Sequence, residues 1–172
     1  MTEANNKSLL GQDAAEEDQD GVQYLTFLLN GEQYGLNILS VQEIRGWEQV
    51  TRVPNAPLYV KGVVNIRGNI VLVFDLRLRF GLPEEAYTKE TVVIVVRAGK
   101  PGEERSMGLV VDAVSDVLVV KDESVSQTPE FGAGVPTENI KGLVTDGEHM
   151  VMLLDLESLA LNDGASMEND AA

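Results

Sequence analysis

Short apolar alternations broken by turn residues run along most of the chain. Tyr24, Thr26 and Leu28 alternate with Leu25, Phe27 and Leu29, and Asn30-Gly31 then leads into Tyr34, Leu36 and Ile38. Alternation with period two marks a strand, and Asn-Gly tolerates positive φ at both central turn positions, so this stretch predicts a hairpin. The run ILSVQEIR (38–45) predicts a further strand, with Leu39, Val41 and Glu43 on one face and Ile38, Ser40 and Ile44 on the other. Two prolines in VPNAPLYVKG (53–62) interrupt the pattern; they predict a single helical turn begun at Pro57, capped by Asn55 and stopped by Gly62. Strands over 62–66 and 70–75 follow, joined by a tight turn at Arg67-Gly68. LPEEAYTKE (82–90) is a polar connector, TVVIVV (91–96) and MGLVVDAVSDVLVV (107–120) are strand patterns, and RAGKPGEERS (97–106) between them is an exposed loop. Residues 121–141, with Pro129, Gly132, Gly134 and Pro136, predict a long irregular connection. About ten short strands with little helix predict an all-β protein built from small barrels that close off their own edges.

The pattern repeats. GVVNIRGNIVLVFDL (62–76) and GLVTDGEHMVMLLDL (142–156) align without a gap, sharing Gly62/Gly142, Val64/Val144, Val71/Val151, Asp75/Asp155 and Leu76/Leu156. A second echo precedes each copy, YGLNILSVQEI (34–44) against MGLVVDAVSDV (107–117). Duplication of one all-β unit follows, and it separates scaffold from function: shared positions serve folding, whereas a residue present in one copy needs another explanation. Arg67, which aligns with Gly147, is the clearest such residue. Asp75 and Asp155 each precede a helix-like stretch and are read as caps of its first turn. The expected division is a first barrel over roughly 22–88 and a second over roughly 89–161, with exchange of strands between them left open. Units this small are marginal alone and are expected to lean on each other.

Charge sharpens the picture. Of a net −15, residues 1–21 carry six acids and one lysine, and 157–172 carry four acids and no base. Such ends cannot bury enough apolar surface to order themselves, so 1–21 and 162–172 are read as disordered acidic tails around a domain over 22–161. The acidic core disfavours a small-barrel nucleic-acid binder, the alternative reading, because phosphate binding needs a basic stripe. No cysteine is present, the N-terminus lacks the apolar core of a signal peptide, and runs such as VVIVV (92–96) are too short to span a bilayer. A cytoplasmic protein without membrane insertion is expected.

Convergent chemistry is sparse. His149 is the single histidine, just past the Asp146-Gly147 turn, where a solvated role is expected. One His and no Cys supply neither a nucleophilic triad nor a nitrogen- or sulfur-rich metal site, and Gly132-Ala133-Gly134 runs into Val-Pro instead of opening a helix as a phosphate loop does. The reading is a non-enzyme with no cofactor and no metal.

Binding residues remain. A guanidinium at a hairpin tip suits bidentate contact with a carboxylate, or else serves solubility alone. Val41 with Glu43 suits either the rim of a protein interface or an ordinary half-buried strand. Trp47, the single tryptophan, is read as core packing, with interface anchoring the other use of such a residue.

YGLNILSVQEIRG (34–46), RVPNAPLYVKGVVNIRG (52–68), TVVIVV (91–96) and GLVVDAVSDVL (108–118) together resemble the family of bacterial chemotaxis coupling proteins, the CheW family, over roughly 22–161. The resemblance implies two pseudo-symmetric SH3-like five-stranded β-barrels with a hydrophobic groove between them. It implies a non-enzymatic scaffold that couples the cytoplasmic tips of methyl-accepting chemoreceptors to the regulatory domain of the chemotaxis histidine kinase, within receptor arrays at the membrane. Among family positions, Arg67, Val41 and Glu43, and Val92 and Val93, match residues associated with receptor or kinase binding. Gly62 and Gly68 match glycines that shape the turn carrying Arg67.

Overall fold

The computed structural model describes residues 21–127 and 137–160, so the acidic ends, 1–20 and 161–172, and residues 128–136 of the Pro/Gly-rich connection lie outside the described residues. The protein is all-β: ten strands among those residues form two five-stranded sheets. The strands are β1 Val22–Leu29, β2 Glu32–Asn37, β3 Val41–Gly46, β4 Val60–Ile66, β5 Asn69–Asp75, β6 Val92–Ala98, β7 Arg105–Val111, β8 Ala113–Val120, β9 Ile140–Asp146 and β10 His149–Leu154. Sheet I runs β8-β1-β2-β10-β9, and sheet II runs β3-β6-β7-β5-β4. Replacing β1, β2, β3, β4 and β5 by β6, β7, β8, β9 and β10 respectively, and conversely, turns one order into the other. The duplication is therefore visible as pseudo-symmetry.

The exchange between copies is reciprocal. The hairpin β1–β2 joins β8, β9 and β10, while β6–β7 joins β3, β4 and β5. Residue 88 falls between two strands of sheet II, so the sheets do not divide there. Sheet II is one continuous stretch, 41–111, and sheet I takes 22–37 and 113–154. The two parallel pairings, β10 with β2 and β5 with β7, are the seams where the copies interlock. At both seams a glycine admits the neighbour: a Cβ on Gly35 would lie 3.0 Å from Leu153, and one on Gly108 3.2 Å from Val73.

Local chemistry explains most elements. Asn30 (φ 53) and Gly31 (φ 80) make the expected hairpin turn. Asp75 accepts from the Leu78 N–H and caps helix α1, Leu76–Arg79; Asp155 does the same for Ser158 at the start of the helical residues 156–160. Two expectations fail. Residues 38–40 are a 3-10 turn, because the Asn37 side chain accepts from the Leu39 N–H and diverts the backbone from the ladder, so β3 starts only at Val41. Around Pro57 no helix forms: the Val60 N–H closes a single turn on the Pro57 carbonyl, and Asn55 takes φ 61 instead of capping.

The largest apolar cluster lies between the sheets. Phe27, Leu29, Tyr34 and Leu36 of sheet I meet Phe74, Ile94, Met107 and Leu109 of sheet II, with Leu76 and Phe80 from α1 and its end. Each sheet adds a smaller cluster, Val71, Val73, Val93, Val95 and Val110 in sheet II, and Tyr24, Val120, Val144, Val151 and Leu153 in sheet I. Central strands such as β6 are thus apolar on both faces. Burial raises the Tyr34 hydroxyl pKa to about 12, helped by nearby Glu32.

A polar cluster also ties the two sheets together. Asp112 occupies the single residue between β7 and β8 and accepts from the Arg77 guanidinium at 2.8 and 2.9 Å and from the Asn30 N–H at 2.9 Å. Arg77, 5% exposed, also donates to the Pro83 carbonyl and pairs with Glu85 at 3.2 Å. Its hydrogen bonds to Asp112 raise its pKa further. Burial alone pushes the Asp112 carboxyl up, but the Arg77 hydrogen bonds and the Asn30 N–H together outweigh it and hold the carboxyl below its usual range.

Candidate functional site

Arg67 projects from the turn between β4 and β5. It takes φ +53 and Gly68 φ +87, and the Asn65 side chain accepts from the Gly68 N–H at 2.9 Å, fixing the turn. In the second copy Gly147 has φ +63 at the matching position, so the turn pair there is Gly147-Glu148, one residue later than Asp146-Gly147. The left-handed conformation costs an L-residue roughly 1–2 kcal/mol. The first copy bears that strain with an arginine whose side chain is 83% exposed, and the second avoids it with glycine.

The guanidinium faces Glu43 of β3 at 3.9 Å. Pairing of β3 with β6 shifts register between Val41 and Glu43, leaving Gln42 as the bulged residue. Its side-chain oxygen accepts from the Ser106 hydroxyl at 2.7 Å, tying the bulge to β7. The expected shared face is undone twice: the 3-10 turn leaves Leu39 90% exposed, and the bulge sets Val41, packed against the central cluster, opposite Val96 while Glu43 falls opposite Val95. Glu43 is half-buried beside the hairpin tip.

Around this pair lies a groove of about 510 Å³, built by β3, β5, β6, β7 and the hairpin tip. All of its lining belongs to sheet II, whereas the space between the two sheets is filled by the central cluster. Arg97 and Arg105 line it together with Arg67, and Ile70, 67% exposed, supplies an apolar patch. Arg97 pairs with Glu104 at 3.1 Å, and Arg105 donates to the Ala160 carbonyl at 3.0 Å.

The other singled-out residues are scattered. Val92 packs against the central cluster and Val93, 6% exposed, lies inside the cluster of sheet II, so both act on the surface only through what they support. Gly62 is not part of the turn; it sits at a register shift of β4, where a Cβ would fall 2.2 Å from the Thr51 carbonyl oxygen. Gly68 is in the turn, with open space around it. Trp47 is half-buried and meets Tyr87 edge-on at 4.5 Å. Burial and a 2.6 Å hydrogen bond to Asp75 push the Tyr87 hydroxyl pKa upward. Sequence reading missed Arg97, Arg105 and Ile70. Alternation places Ile70 on a strand, but Arg97 and Arg105 fall in the stretch expected to be an exposed loop (97–106), whose two ends instead extend β6 and β7. The parallel pairing of β5 with β7 that gathers all three beside Arg67 has no local signal.

The arrangement suits recognition, with cations, a carboxylate and exposed apolar surface on a rigid sheet. His149 is exposed and apart from the groove. Among the described residues no three or more His, Cys, Asp or Glu side chains are placed to hold a metal ion, and no helix is long and apolar enough to cross a membrane.

Comparison with known proteins gives a consistent result. The family described as CheW-like domain matches residues 23–163. A chemotaxis protein CheW from Klebsiella aerogenes is 43% identical over 152 residues, covering 88% of this chain and 89% of that protein. One from Bacillus subtilis is 31% identical over 143 residues, covering 83% and 89%. The crystal structure of the scaffolding protein TtCheW from Thermoanaerobacter tengcongensis superposes with a TM-score of 0.73 at 29% identity, covering 81% of this chain and 92% of that one.

Proposed function

The chain belongs to the CheW-like family, scaffold and coupling proteins of chemotaxis, and we propose that it bridges the cytoplasmic tips of methyl-accepting chemoreceptors to the chemotaxis histidine kinase. The bridge has no chemistry of its own. A receptor tip is a helical hairpin, and the groove of sheet II offers a concave seat for one helix face. Glu43 and Arg67 line that seat, and Val41, Val92 and Val93 hold β3 and β6 in place beneath it. The kinase is met on another surface, by one sheet packing against its homologue in the kinase regulatory domain. Recruitment to receptor arrays at the inner face of the membrane follows from the same partners.

The observation that carries this reading is Arg67 itself, a strained, exposed arginine where the duplicated copy uses glycine. Folding does not need it there, so binding is the remaining reason for its presence. Arg67→Glu and Arg67→His test this. Each is expected to unfold at a near wild-type temperature and to lose receptor-dependent kinase activation. A folded variant with undiminished activation removes Arg67 from the site.

A further inference from the structure

The groove is cationic on a protein that is strongly anionic. Three arginines line it, Arg67, Arg97 and Arg105, against the single carboxylate of Glu43, while the chain as a whole carries −15. Their positions are independent of one another in sequence: Arg67 comes from a hairpin tip, Arg97 from β6 and Arg105 from the start of β7. Arg97 is held against Glu104 yet its side chain remains 54% exposed, so its charge is available at the rim. Exposed Ile70 also lines the groove.

From this we infer that the groove selects its partner by carboxylates: Arg97 and Arg105, with Arg67, steer a helix face that carries acidic side chains about an apolar residue seated on Ile70. The inference rests on the receptor-coupling reading and specifies the chemistry of the receptor face that would be recognised. The protein's overall negative charge repels an acidic partner at long range. A local cationic rim then decides which approach succeeds, because complementary rim charges act chiefly on association rate and its salt dependence. A pair that stays solvent-exposed at the rim, as one made by Arg97 would, contributes little to final affinity. Arg97 is therefore a specificity residue acting during encounter, and a role in holding the fold would not produce that kinetic signature.

The test uses the full chain and the purified cytoplasmic fragment of a methyl-accepting receptor from the same cell, with association and dissociation rates read separately at low and high salt. Arg97→Glu is expected to slow association about tenfold at low salt, leave dissociation nearly unchanged and flatten the salt dependence. Arg97→Lys, which keeps the charge, should associate as wild type does. A folded Arg97→Glu protein with wild-type association and salt slope overturns the inference while leaving receptor coupling intact. A wild-type chain that does not bind the fragment at all sinks both. A third variant neutralises Asp163, Glu168 and Asp170, acids that follow Ala160, the residue bonded to Arg105. If that change speeds association and makes Arg97→Glu indifferent, the groove serves this chain's own acidic segment and the partner assignment falls.

Discussion

Replacing Arg67 by glycine separates strain from binding at one position. Arg67 adopts φ +53, at which an L-residue gives up roughly 1–2 kcal/mol. Glycine removes that strain but adds unfolded-state entropy worth about 0.5–1 kcal/mol. The ion pair lost with it is 3.9 Å long and 83% exposed on the arginine side, and pairs of that kind contribute about 0–1 kcal/mol. These terms nearly cancel. Stability of Arg67→Gly should stay within about 1 kcal/mol of wild type, a shift of no more than about 2–4 °C in Tm for a chain of this size. Gly147, at φ +63 in the matching turn, shows that the fold accepts glycine there. Binding should respond very differently, since loss of a charge-assisted contact costs about 1.5–3 kcal/mol, or roughly ten- to a hundredfold in affinity. Arg67→Ala is the control: it keeps the left-handed strain and should fall below Arg67→Gly in Tm. Calorimetry and receptor-fragment binding measured on the same preparations decide the matter. A glycine variant less stable than the alanine variant refutes the strain argument. One that binds as wild type refutes the role given to the guanidinium.

Two further outcomes follow from the described contacts. Gly62→Ala should destabilise by about 3 kcal/mol or more, because its Cβ would fall 2.2 Å from a backbone oxygen at φ +149. Gly142→Ala should cost less, since the atom it meets, at 2.4 Å, belongs to the Val125 side chain, which can turn away; equal costs in urea unfolding would contradict this. Asp112 is held below its usual range, so its contribution to stability is present above the ordinary carboxylate pKa and is lost as pH falls through the lowered value, below about 4. Asp112→Asn should remove that part of the acid slope of Tm and cost about 1–3 kcal/mol at neutral pH, less than a fully buried pair because the Asp112 side chain is 33% exposed. An unchanged acid slope would show that the bridge does not titrate with folding.

What the sequence disclosed, and what it withheld, divides by the range of the interaction. The Asn30-Gly31 hairpin, the Asp75 and Asp155 caps and the Arg67-Gly68 turn depend on residues within four positions, and the pattern showed them. Duplication was readable because the copies kept the same glycines and apolar rows. The exchange of hairpins was not: β2 next to β10 and β7 next to β5 are choices between equally apolar strands, made by long-range packing in the central cluster. The bulge at Gln42 and the 3-10 turn at 38–40 were missed for a smaller reason. Each hangs on one side-chain hydrogen bond, Gln42 to Ser106 and Asn37 to Leu39, that strand alternation does not report. The loop expected over 97–106, together with the long-range pairing of β5 with β7, hid Arg97 and Arg105 from the candidate site while leaving Arg67 and Glu43 in view.

The interlocked sheets set an order of events at the ribosome. Sheet II, continuous over 41–111, has all its strands once residue 111 has emerged. The hairpin β1–β2, though made first, finds its partners only between Ala113 and Leu154. At ~5–20 residues per second, the gap before β8 begins to appear lasts roughly 4–15 s, far longer than a hairpin needs to form. During that interval β1 and β2 carry open edges and uncovered Phe27, Leu29, Tyr34 and Leu36, so the nascent chain is most exposed to chaperones and to misassembly in its oldest part.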